Sequence, residues 1–206
     1  VATWSFFFPD LLPHATGVAE PVAERALRLS AQTFFQKTRA WRVWLPEVVT
    51  VAGQRSYALP LPAGAIVERL EKATMNGRAI DVQSFSCFEA DPVLHPDQCS
   101  GGVASPDRVN ILLASDYGAG SKVQVLASLA PGEGATGISD DMATQFRDAI
   151  VAGAKRRLLL NPKATYFNPD LAGVAAGEFQ DAIDTTKVEV HRGFTNTTPR
   201  SRPTWC

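Results

Sequence analysis

Residues 66–82, IVERLEKATMNGRAIDV, decide the fold class. Two runs of aliphatic and alternating polar residues flank Asn76-Gly77, and that pair supplies the positive φ values a tight hairpin turn demands. An antiparallel hairpin is therefore expected here. On its N-terminal side, EVVTVAGQRSYALPL (47–61) predicts two short strands around Gly53-Gln54. On its C-terminal side, RVNILLA (108–114) and KVQVLASLA (122–130) predict a second hairpin across the loop DYGAGS (116–121). Between the hairpins, residues 84–107 are rich in Pro, Gly and Ser and read as a long surface loop. The natural outcome is a compact antiparallel sandwich or small barrel over residues 46–135.

Helical periodicity lies on both sides. From Pro21 to Trp41, Val22, Ala26, Leu29, Ala31, Phe34 and Phe35 recur at mixed three- and four-residue spacing. Glu20 and Glu24 precede Lys37 and Arg39, the charge order that complements a helix dipole. A second helix opens at Asp140-Asp141, carries Met142, Phe146, Ala149, Ile150, Gly153 and Leu160 inward, and stops at Asn161-Pro162. The last has an Asn168 cap followed by Pro169 and Asp170, buries Leu171, Ala175, Phe179, Ala182 and Ile183, and ends at His191-Arg192-Gly193. The organisation expected is α+β: a helical bundle from 1–45 and 136–193, an inserted β-domain, and an extended C-terminal tail over 194–206.

Composition narrows function mainly by exclusion. With 206 residues, 45% of them apolar, the chain can bury a core as one domain or two small ones. A net charge of −1 gives no global attraction to nucleic acid or anionic lipid, so charged recognition must be local. The three cysteines, Cys87, Cys99 and Cys206, form no CxxC pair, which argues against a disulfide scaffold or zinc site. The N-terminus lacks the basic region of a signal peptide, and no run reaches the ~20 apolar residues of a spanning helix.

No catalytic or cofactor-binding constellation stands out. His14, His95 and His191 read as surface or capping residues, and no GxSxG, HExxH, P-loop or dinucleotide fingerprint is present. The pairs Glu89/Asp91 and Asp140/Asp141 are explained by a solvated loop and a helix first turn. No metal ligand set or cofactor is expected. Two segments ask for a partner instead. Trp4, Phe6, Phe7 and Phe8 are too apolar for a free end and must cover either the chain's own helices or a neighbouring subunit. In the acid-free tail, Phe194, Arg200, Arg202, Pro203 and Trp205 include residue types that dominate binding hot spots.

Several stretches together resemble the head-to-tail connector (adaptor) proteins of tailed bacteriophages, related to the tubular tail proteins of short-tailed phages. They are Phe7-Phe8-Pro9-Asp10-Leu11-Leu12-Pro13, Ala23-Glu24-Arg25-Ala26-Leu27-Arg28, Thr38-Arg39-Ala40-Trp41, and Tyr57-Ala58-Leu59-Pro60-Leu61-Pro62-Ala63-Gly64. Asn168-Pro169-Asp170-Leu171-Ala172, Arg192-Gly193-Phe194 and Arg200-Ser201-Arg202-Pro203 extend the likeness towards the C-terminus. The resemblance implies a non-enzymatic, dodecameric ring in the virion neck, made in the host cytoplasm. It would dock beneath the portal protein, receive a tail or nozzle protein on its other face, and pass genomic DNA through its lumen with at most nonspecific contact. By analogy the tail would face the portal, with Phe194 and Trp205 as anchors, while the N-terminal aromatics are candidate subunit contacts. Two alternatives remain open: a tail-completion or terminator ring, and a hydrolase or glycan-binding module using β-domain loops near Phe85, Phe88 and Glu89.

Overall fold

A computed structural model describes residues 1–89, 102–114 and 117–193. Along the chain run β1 (Ala2–Thr3), α1 (Phe8–Leu11), α2 (Glu20–Thr38), β2 (Arg42–Trp44), β3 (Val48–Val49) and β4 (Ser56–Ala58). Then come β5 (Ala65–Met75), β6 (Arg78–Ile80), α3 (Ser86–Glu89), β7 (Val103–Ala104), β8 (Asn110–Leu113) and β9 (Lys122–Pro131). The series ends with β10 (Gly137–Ile138), α4 (Asp140–Gln145), α5 (Arg147–Leu159) and α6 (Pro169–Arg192). The class is mixed α+β with antiparallel sheets and no barrel closure.

Two compact units emerge: a β-unit of residues 1–6 and 41–145, and a helical unit of 7–40 and 146 onward. These boundaries differ from the expected ones at three places. Residues 1–6 join the β-unit because β1 pairs with β10 and the Trp4 indole donates to the Ala135 carbonyl at 2.8 Å. Residues 41–45 join it because β2 pairs with β9 and Leu129 N–H donates to Trp41 O at 2.8 Å. Residues 136–145 follow β10 and α4 into the same unit.

The β-unit holds a five-stranded sheet in the order β2-β9-β5-β6, with β3 also on β9, and a three-stranded sheet β4-β8-β7. The hairpin at Asn76-Gly77 forms as expected, both residues taking positive φ (49° and 78°). The second expected hairpin does not. β8 pairs with β4 and β7, whereas β9 pairs with β5, β2 and β3, so the two strands belong to different sheets. The strands around Gly53-Gln54 likewise separate, β3 going to β9 and β4 to β8. Local pattern identified these strands, but burial of β9 on neighbours distant in sequence chose their partners.

β5 carries two register shifts, between Val67 and Arg69 and between Leu70 and Lys72. Glu68 and Glu71 are the extra residues, so each occupies a β-bulge. The apolar residues Val67, Leu70 and Ala73 are spaced by three, a spacing no regular strand can bury on one side. The bulges restore them to one face, where all three are buried.

In the helical unit α2, α5 and α6 pack against one another. The α2 stripe turned inward is Ala23, Ala26, Leu27, Ser30, Ala31, Phe34 and Phe35, and Val22 is left 46% exposed. Ser30 can be buried because its hydroxyl donates to Ile150 O at 2.7 Å. Phe34 lies at ring-centroid distances of 5.5, 5.0 and 6.3 Å from Phe35, Phe146 and Phe179. The helix expected from Asp140 to Leu160 is broken at Phe146, whose backbone (φ −113°, ψ 22°) leaves helical geometry while its ring joins this cluster, and Leu160 is exposed. α6 keeps both predicted ends: Asn168 Oδ1 accepts from Leu171 N–H at 3.0 Å, and Gly193 is left-handed (φ 71°). No helix among the described residues is long and apolar enough to cross a membrane.

Candidate functional site

Of the N-terminal aromatics, Trp4 and Phe7 are buried within the chain (2% and 0% exposed). They cannot serve as subunit contacts without unfolding their surroundings, so that expectation is corrected for both. Phe6 is 37% exposed and Phe8 half-buried. The same segment fixes the helical unit through an ion pair between Asp10 and Arg147. The tail residues Phe194, Arg200, Arg202, Pro203 and Trp205 lie outside the described residues, as do Asp91, His95, Cys99 and Cys206. His14 and His191 are both exposed, and no group of His, Cys, Asp or Glu among the described residues could hold a metal ion.

A polar groove of about 610 Å³ lies in the β-unit. Glu68 and Glu71 reach it from the two bulges of β5, and Gln83, Ser84, Ser105 and Arg108 line it from neighbouring segments. Arg108 Nη1 stands 3.6 Å from Glu68 Oε2, a partly exposed pair of the kind that contributes little to stability. Asp107 builds the Arg108 turn: its carboxylate accepts from Asn110 N–H at 2.7 Å, Val109 N–H at 3.1 Å and the Asn110 side-chain amide at 2.5 Å. These bonds hold Arg108 at φ 67°, a left-handed conformation uncommon outside glycine.

The hydrogen bond from the Asn110 side chain, aided by the two backbone amides, holds the Asp107 carboxyl below its ordinary pKa. Because the folded value is the lower one, the loop's stabilisation is present above the unfolded pKa of about 3.9 and disappears as pH falls through the folded value. The Val109 and Asn110 amides should therefore stay protected from exchange at pH ~4 and lose protection only in stronger acid. Protection lost already near pH 5 would show that Asp107 does not hold the turn.

Among the described residues no aromatic side chain lines this groove to stack on a sugar ring. Phe85 and Phe88, expected to mark a glycan or hydrolase site, are half-buried elsewhere, and nothing is described of the Glu89 side chain. A second groove, about 620 Å³ in the helical unit, has Ala149, Val151 and Ala152 in its lining together with His14, Asp148 and Lys155. Three acids, Asp10, Asp148 and Glu178, outnumber Lys155 in it, and among the described residues no Ser, Thr or Cys stands in the lining beside His14.

The residues of the phage-adaptor likeness fall at structural joints. Phe7 is buried, Arg39 closes α2 in the left-handed region (φ 52°), and Asn168 caps α6. The Tyr57 hydroxyl donates to Gln54 O at 2.7 Å and accepts from Val51 N–H at 3.0 Å, tying the turn after β3 to β4. Gly64 (φ 73°) lies so close to Ala135 that a Cβ there would come within 2.9 Å of the Ala135 Cα. Sequence reasoning missed the Glu68/Glu71 groove, for which the signal was present: two Glu-base pairs, Glu68-Arg69 and Glu71-Lys72, interrupt a strand whose apolar residues fall three apart. No protein-family model matches the chain, and no curated protein matches it significantly.

Proposed function

We propose that the chain is a structural head-to-tail adaptor subunit of a tailed bacteriophage, a helical bundle with an inserted β-domain that assembles as a ring between portal and tail. One observation supports the reading: within the stretches that resemble adaptor proteins, Phe7, Arg39, Tyr57, Gly64 and Asn168 hold this fold together as buried anchors, caps and tight turns. A family likeness of this kind concerns architecture. It supports a role in assembly in preference to one in chemistry.

Residues 194–206 are the proposed portal contact, with Phe194 and Trp205 as apolar anchors and Arg200 and Arg202 as partners for acids. Deleting 194–206 should abolish co-sedimentation with purified portal rings and leave the thermal unfolding midpoint within a few degrees of the intact chain. Electron microscopy of the intact mixture should show a second ring stacked on the portal. Full portal binding by the truncated chain would remove the tail from the mechanism, and absence of binding by the intact chain would remove the adaptor assignment.

A further inference from the structure

Two exposed surfaces of this chain match each other in charge and in apolar content. The first is the outer face of the five-stranded sheet. Arg42 and Arg69 both lie opposite Ser128, and Trp44 and Lys72 both lie opposite Leu126, which sets two rows across three strands. Residues three apart on a regular strand face opposite sides, so Arg69 and Lys72 share a face only because the Glu71 bulge lies between them. The bulges also draw Glu68 away, towards Arg108. What remains outward is a patch of Arg42, Arg69 and Lys72 interleaved with Trp44 (45% exposed) and the half-buried Leu126, with Val49 (55% exposed) further along the face.

The second surface is the outer stripe of α6. Asp170, Val174, Glu178, Asp181 and Val188 follow three-, four- and seven-residue spacings that bring them to one side of the helix. All five are exposed, the valines at 59% and 47%. The nearby Asp184 is already engaged by Gln180 at 2.8 Å and Lys187 at 3.3 Å and is left out of the match.

We infer that α6 of one copy lies across the sheet of the next, its acids meeting Arg42, Arg69 and Lys72 and its valines meeting Trp44 and Leu126. A helix on a sheet face is an ordinary packing layer, and two different patches in contact make a heterologous interface, the kind that propagates around a ring. The apolar residues decide between a protein occupant and nucleic acid. Trp44, Leu126 and Val49 among the bases have no counterpart on a phosphate backbone, whereas α6 offers valines interleaved with its acids. The contact deepens the adaptor reading by naming the subunit interface, and it can fail separately from it.

Sedimentation velocity over a concentration series tests it. The wild-type chain should self-associate. Arg69→Glu/Lys72→Glu and Glu178→Lys/Asp181→Lys should each shift half-association to more than tenfold higher concentration, because like charges then face each other. An equimolar mixture of the two variants should regain association, since every contact in an alternating assembly is again between opposite charges. Circular dichroism melts matching the wild type exclude misfolding as the cause of the loss. A mixture that remains monomeric, or a wild-type chain monomeric throughout, overturns the contact. So does a sheet variant that still associates but is no longer retained on a labelled DNA duplex, which would assign the face to nucleic acid. Portal-templated rings formed equally well by both variants would sink the contact and keep the adaptor role. Swap-sensitive association by a chain that never docks on a portal would do the reverse.

Discussion

Phe34→Ala should destabilise the helical unit by about 3–5 kcal/mol. Phe34 is fully buried, and three other aromatic rings, those of Phe35, Phe146 and Phe179, lie within 6.3 Å of its own. Those rings belong to α2, to the break before α5, and to α6, so one side chain joins three segments. Removing it leaves a cavity that none of its stiff neighbours can fill by a rotamer change, and the lost edge and tilted contacts add to the lost burial. Urea denaturation followed by far-UV circular dichroism would read the helices. Trp4, Trp41 and Trp44 lie in the β-unit and, in a Trp205→Phe background, report on it separately by fluorescence. A loss below about 1 kcal/mol would mean that the cluster collapses freely and is not the centre of the unit.

What could be read in the sequence was local chemistry. Asn168 and Gly193 bracket α6 because a side-chain acceptor and a left-handed glycine solve the end problem of a helix within a few residues. Asn76-Gly77 fixes its hairpin for the same kind of reason. Partnerships over long separations were not legible. Nothing in residues 108–130 states that β8 and β9 join different sheets, and nothing in the aromatic N-terminus states that Trp4 finds the carbonyl of Ala135. Nor does the sequence state that Ser30 is buried, its hydroxyl donating to Ile150 O of another helix.

The candidate surfaces divide along the same line. The acidic stripe of α6 follows from helical spacing alone. The basic sheet face does not, because two bulges alter which side of β5 each charge faces, and a strict alternation would have placed Arg69 and Lys72 apart. The Glu68/Glu71 groove was hidden by the same two residues. Bulges are set by the packing of the whole strand against β9, so a single-strand pattern carries only an anomaly in spacing and no account of its outcome.

Gly153 and Gly177 give the second large effect as a difference in sign. Both lie inside helices, where alanine is intrinsically better than glycine by about 1 kcal/mol. At Gly177 a Cβ meets nothing within 4 Å, so Gly177→Ala should stabilise the fold by about 0.5–1 kcal/mol. At Gly153 a Cβ would collide with the Ser30 hydroxyl and lie 2.7 Å from the Phe179 ring. The hydroxyl cannot turn aside without giving up its 2.7 Å bond to Ile150 O, and the ring is held by the Phe34 cluster. α5 must therefore move away from α2 and α6, an overpacking penalty of about 1–3 kcal/mol plus roughly 1 kcal/mol for the hydrogen bond. These exceed the propensity gain, so Gly153→Ala should destabilise by about 1–3 kcal/mol. Paired denaturant titrations of the two variants would show it, and equal signs would mean that the close approach of α5 to its neighbours is not what selects glycine at position 153.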